Sequence, residues 1–151
     1  MRKVLSCILL VAILVSVLGG CSKAPGEDPS GNGDLKDLKI GLVLDKVGTQ
    51  PFLQSMVKSL EDGAAKHGYE AVIVECADNA AFEDNMRALV VEGADLIIGG
   101  GWTAGEAINK IAQESPDVKY ALIDSMVEAE NVKCVSYVEQ EGTYLVGMLA
   151  A

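Results

Sequence analysis

From residue 35 onward, short apolar runs alternate without interruption with helix-length amphipathic stretches, and this alternation leaves few folds open. The runs are "LKIGLVL" (38–44), "YEAVIVEC" (69–76), "ADLIIGG" (94–100), "VKYALID" (118–124) and "NVKCVSYV" (131–138). Between them the spacing predicts helices over 50–67, 80–92 and 103–114, with a last one starting at 139–142. Gly68 and Gly93 stop the first two, Ser115-Pro116 follows the third, and Asp78 stands where it caps the second. Strands separated by helices require right-handed crossovers and a parallel sheet. The strands read as Val, Ile and Leu runs rather than strict alternations, the pattern of a sheet covered on both faces. The expected fold is therefore α/β: a doubly wound parallel sheet of five strands, order 2-1-3-4-5, flanked by helices. The length from residue 35 to 151 suits one compact domain.

What precedes the alternation sets an expected location. Arg2 and Lys3 lead into the nearly unbroken apolar run 4–18, followed by "LGGC" at 18–21. Such a run reads as a secretory signal, too short and wrongly flanked for a membrane span. Cysteine directly after small residues, with Leu18 three positions before it, resembles a bacterial lipobox. Residues 1–20 are then a lipoprotein signal peptide and Cys21 the lipidated first residue, placing the protein on the extracytoplasmic face of a membrane. Residues 22–34, "SKAPGEDPSGNGD", carry Pro, Gly, Ser and charge with no apolar period, as expected of a flexible tether.

Without Arg2 and Lys3 the formal charge is −12, which argues against a nucleic-acid partner and against a basic membrane-binding face. Cys76 and Cys134 form no CxxC pair or metal-ligand spacing and read as separate buried thiols. His67, the only histidine, lies beside Gly68 at a helix end, where capping or solvation is its expected lot. "GGG" at 99–101 is followed by no GK[ST], so it is no phosphate loop; its glycines suit a tight turn and a close approach of ligand to backbone. No Ser-His or Cys-His set is present, and the chain reads as a binding protein without catalytic, cofactor or metal residues.

In the order 2-1-3-4-5 the first and third strands are neighbours whose connections leave to opposite faces, and ligands bind outside the carboxyl ends of the strands at that point. Asp45 and Phe52 follow the first strand, Trp102 and Glu106 the third, and Asp124 ends the fourth. Taken singly each has a structural role open to it. Phe52 can cover the first helix, Trp102 can pack under the third, and Asp45 and Asp124 can cap turns. Together on one sheet edge they form the expected ligand-binding set, with two of the chain's seven aromatics in it.

The lipobox, "LVLD", "PFLQS" opening a helix, "ADLIIGGGW", "PDVKYALID" and above all "YVEQEGTYLVGMLAA" (137–151) occur in the order seen in the basic membrane protein family. The chain resembles those lipoproteins, which bind purine nucleosides for ABC-type importers, over nearly all its length after the tether. The resemblance implies the first lobe of a periplasmic-binding-protein fold, with ABC permease and ATPase subunits as partners and a nucleoside as ligand. It puts Asp45 and Phe52 in the pocket, Trp102 in the place of a usual Phe and Glu106 in that of a usual Asp. The aromatic faces would stack on the base, and the carboxylates would accept from polar edges and ribose hydroxyls. Two departures bear on specificity: the loop before "PFLQ" is shorter than usual, and Leu53 stands where a base-reading Asn is expected. The family has two lobes, so residues 35–151 are expected to be an N-terminal lobe cut before the second and to bind weakly alone. Two other binding roles suit the same features: a ligand-sensing regulatory domain of this fold, or a receptor for sugars or other small solutes.

Overall fold

The computed structural model describes residues 35–150, and the lipobox, Cys21 and the tether lie outside them. Its centre is a parallel sheet of β1 (Lys39–Asp45), β2 (Glu70–Cys76), β3 (Leu96–Gly100), β4 (Lys119–Ile123) and β5 (Val132–Val135), ordered β2-β1-β3-β4-β5. Every pairing is parallel, with Leu44 opposite Gly100 and Gly100 opposite Ile123. The expected doubly wound α/β sheet is present with its strand order intact. Strand ends differ from the sequence reading by a residue or so, except that β5 stops at Val135 rather than at 138.

Helix α1 (Pro51–His67) begins with proline at a position that has no intrahelical use for an N–H. It ends at Gly68, whose φ of 85° lets its N–H close back on the Ala64 carbonyl. Helix α2 (Asn79–Val91) is capped by Asp78, whose carboxylate accepts from the Ala81 N–H at 3.0 Å. Helix α3 (Ala104–Glu114) carries the stripe Ala104, Ala107, Ile108, Ile111 and Ala112, all buried. That stripe meets Phe82, Met86 and Leu89 of α2 and Val43, Ile97 and Leu122 of the sheet, forming the larger core on one face. Residues one position away, Leu42 and Leu44, point to the other face and meet Leu53 and Leu60 of α1 in a smaller core.

Gly99 explains how α3 sits so close on one face of the sheet, and Gly100 how α1 does on the other. A Cβ on Gly99 would overlap Ile108 Cδ1 and come within 2.8 Å of the Ala104 Cβ. A Cβ on Gly100 would meet Leu44 Cβ at 3.0 Å and Met56 Cε at 3.1 Å. Gly101, at φ 86°, makes the turn into α3. The turn was expected from the sequence; the close contacts of Gly99 and Gly100 with helix and strand side chains were not.

On their solvent side α2 and α3 are tied by Arg87, which donates to Glu114 Oε2 at 2.9 Å and to Glu83 Oε2 at 3.1 Å. Lys110 donates to the same Glu83 oxygen at 2.6 Å. The last helix, α4 (Glu139–Ala150), has no buried residue.

Candidate functional site

The loops that follow β1, β3, β4 and β5 gather on the carboxyl edge of the sheet. The loop after β1 is short and internally closed. The Gln50 N–H reaches the Val47 carbonyl at 3.0 Å, and the Gln54 amide donates to the Gly48 carbonyl at 2.8 Å. Val47 N–H in turn donates to Glu75 Oε2 at 3.1 Å, anchoring the loop to β2. Gln54 is therefore engaged in shaping the loop. Leu53 is buried against Leu42 and Leu44, so the position where an amide was expected is a core position in this chain.

Asp45 is half-buried at the last residue of β1. Its Oδ2 accepts a hydrogen bond from Thr103 Oγ1 at 2.6 Å, joining the end of β1 to the start of α3. Thr103 occupies the N-cap position of α3 in a helical conformation (φ −62°, ψ −30°) and makes no side-chain cap bond. An N-cap threonine normally takes extended dihedrals and accepts from the helix's first turn. Here the hydroxyl serves the neighbouring strand instead. Trp102, directly before it, is 73% exposed. Glu106 is exposed in the first turn of α3, where the positive end of the helix favours a carboxylate.

Asp124 follows β4 at φ 67°, a left-handed conformation uncommon outside glycine. Its N–H donates to the Val135 carbonyl at 2.7 Å, which extends the β4–β5 ladder past the strand end and holds that conformation in place. The neighbouring Asp124 carboxylate, which favours a protonated Glu139 as hydrogen-bond donor and repels a charged one, pushes the Glu139 carboxyl at the start of α4 above its ordinary pKa. Beside this pair, Tyr137 meets Phe52 edge to face, ring centroids 6.3 Å apart at 87°.

Beneath those rings a cleft of about 430 Å³ runs between α1 and the sheet, lined by Leu42, Met56, Ile98 and Ile123, with Phe52 and Tyr137 at its carboxyl-edge end. Of the five residues expected to bind ligand, only Phe52 lines this cleft. Asp45, Trp102, Glu106 and Asp124 lie on the same sheet edge outside it. Asp45 is linked to the β3 loop through Thr103, and Asp124 to the β5 loop through Val135. Thr103, Tyr137 and Glu139 were missed as site residues. Tyr137 and Glu139 stood in the most specific stretch of the sequence, whereas Thr103 read as an ordinary helix cap.

A five-stranded parallel sheet in the order β2-β1-β3-β4-β5 is an architecture this chain shares with solved solute-binding proteins. The structure superposes on an ABC transporter solute-binding protein from Aeropyrum pernix K1 with a TM-score of 0.66 and 28% identity, covering 73% of this chain and 31% of that one. The family model described as Bmp, ABC transporter substrate-binding protein PnrA-like, matches residues 39–151, and the chain belongs to that family. Among curated proteins it is similar to the CD4+ T-cell-stimulating antigen of Listeria innocua serovar 6a, at 27% identity over 99% of this chain and 45% of the relative. It is similar also to Basic membrane protein A of Borreliella burgdorferi, at 28% identity over its whole length and 43% of the relative. The chain thus spans less than half the length of the curated relatives it matches.

Proposed function

We propose that this chain is the N-terminal lobe of a lipid-anchored extracytoplasmic receptor that captures purine nucleosides and delivers them to an ABC permease and its ATPase. The observation that supports the reading is the composition of one sheet edge: a carboxylate tethered at Asp45 after β1, with Phe52 at the start of α1 and the exposed Trp102 after β3. A flat, hydroxyl-rich, neutral ligand suits that set. Phe52 and Trp102 offer faces for a base, while Asp45, Glu106 and Asp124 offer acceptors for ribose hydroxyls and base N–H groups. An acidic protein does not repel such a ligand as it would an anion. In this reading Cys21 carries the lipid that holds the receptor at the membrane. With the edge open to solvent on one side, a second lobe supplies the burial that small-ligand affinity requires.

Calorimetric titration with guanosine, adenosine and inosine tests the ligand, run on this chain and on a form extended through the coding sequence that follows Ala151. Binding confined to the extended form, and lost in the Phe52→Ala and Asp45→Ala variants, is the expected result. A folded extended form that ignores all three nucleosides but binds a sugar overturns it. Radiolabelled palmitate incorporated by the wild type and lost in Cys21→Ser tests the anchor.

A further inference from the structure

We propose that Thr103 is a positioning residue that fixes the Asp45 carboxylate and turns this part of the crevice into a surface that only accepts hydrogen bonds. The inference rests on the nucleoside reading of the same edge and adds a residue and a selection rule to it. Three observations meet here. Asp45 and Thr103 lie 58 positions apart in sequence, yet their side chains are 2.6 Å apart, at the short end for a hydroxyl on a carboxylate. The turn at Gly101 (φ 86°) brings Thr103 back toward β1, and its N–H is pinned to the Ile123 carbonyl at 3.1 Å. Thr103 also forgoes the capping bond that its position and residue type favour.

Proton counting then sets what this pair can recognise. A threonine hydroxyl has one hydrogen, and it is committed to Asp45 Oδ2. What Thr103 still presents is lone pairs. Asp45 keeps its Oδ1 and presents lone pairs as well. A ligand group seated on the pair must therefore bring the hydrogen: a hydroxyl, an amide or imino N–H, or an amino group. A phosphate or carboxylate brings only acceptors and meets a fixed negative charge. Glu75, the carboxylate facing the β1 loop from β2, adds to that bias, and Lys46 beside Asp45 is exposed. Without the Thr103 bond the Asp45 side chain is free to change rotamer, and ligand must order it on binding.

Quenching is read on this chain, whose sole tryptophan directly precedes Thr103, and nucleoside affinity on the form extended past Ala151. Acrylamide quenching of Trp102 reads the mobility of the β3–α3 loop with no ligand present. Inosine and inosine monophosphate serve as probes, differing only by the phosphate. Thr103→Val removes the hydroxyl at nearly constant shape and Thr103→Ser keeps it. Loss of one charge-assisted bond and of the pre-set rotamer is expected to raise quenching and to weaken inosine about tenfold in Thr103→Val. Thr103→Ser should stay within about twofold of wild type, and Thr103→Val should add nothing to the quenching of an Asp45→Ala background, as for two groups acting through one bond. The wild type should prefer inosine over the monophosphate by about a hundredfold or more. If Thr103→Val matches the wild type in quenching and in inosine affinity while keeping its circular dichroism spectrum, Thr103 positions nothing and the proposal falls. If no form binds inosine but Thr103→Val loosens Trp102 and Thr103→Ser restores it, the positioning role stands and the nucleoside reading falls.

Discussion

Gly99→Ala is the substitution whose cost the geometry states most directly. The new methyl would overlap Ile108 Cδ1 and lie 2.8 Å from the Ala104 Cβ. The Ile108 contact is with the tip of a side chain, but Ile108 is fully buried among Phe82, Met86 and Ile111 and has little room to turn away. The Ala104 contact is with an atom fixed to the backbone, so α3 itself must shift. Overpacking of this kind costs about 1–3 kcal/mol. Urea unfolding with a slope of about 1–2 kcal/mol per molar would show the midpoint fall by roughly 0.5–3 M. A second variant isolates the cause. Ile108→Val alone removes the clashing Cδ1 and should cost about 0.5–1.5 kcal/mol through the gap it leaves. In the Gly99→Ala background the same change should cost little or should help, because it vacates the space the methyl needs, while the Ala104 contact keeps the rescue partial. Strictly additive effects, or a Gly99→Ala midpoint equal to wild type, would refute the close packing of α3 on β3. They would also remove the reason for placing Thr103, on the same turn, within reach of Asp45.

Two further outcomes follow from charge and exposure. The Glu83 carboxyl is held below its ordinary pKa chiefly by the hydrogen bond from Lys110, and that of Glu114 chiefly by the bond from Arg87. Folded values below the unfolded ones mean that this stabilisation is present above the ordinary carboxylate value of 4.5 and is lost as the pH falls through the lower folded values. The urea midpoint of the wild type should therefore drop between about pH 5 and 3, and an Arg87→Ala variant should show a shallower drop; parallel curves would contradict the α2–α3 tie. The second outcome concerns α4, where Tyr144, Leu145, Val146, Met148 and Leu149 are all more than half exposed. Such a patch favours self-association. Light scattering of the soluble domain should show concentration-dependent oligomers that Leu145→Lys with Leu149→Lys abolishes, and a wild type that stays monomeric at high concentration would count against it.

Much of the fold was legible because its signals are local. The apolar runs, Asp78 ahead of α2 and Gly68 after α1 each act within a few residues, and each does in the structure what the sequence implied. The strand order was legible for a different reason: βαβ alternation through the first four strands leaves few right-handed windings. The candidate site was legible only as an edge. Asp45, Phe52, Trp102, Glu106 and Asp124 do lie at the carboxyl ends of their strands, but the side chains that tie two of the loops together were not foreseen. Leu53 read as a lost polar contact because its place in a motif is a one-dimensional fact. Its burial against Leu42 and Leu44 depends on how α1 lies across the sheet.

The sequence by itself determined which segments become strands and helices, and which edge of the sheet collects the exposed acids and aromatics. Only the tertiary structure decided that the Thr103 hydroxyl donates to Asp45 instead of accepting from its own helix, and that Phe52 meets Tyr137. It alone assigned Gly99 and Gly100 to close packing of helices on the sheet. Secondary structure answers to neighbours three or four positions away. These contacts join residues far apart in the chain, and they exist only once the parallel register has set β1 beside β3 and β4 beside β5.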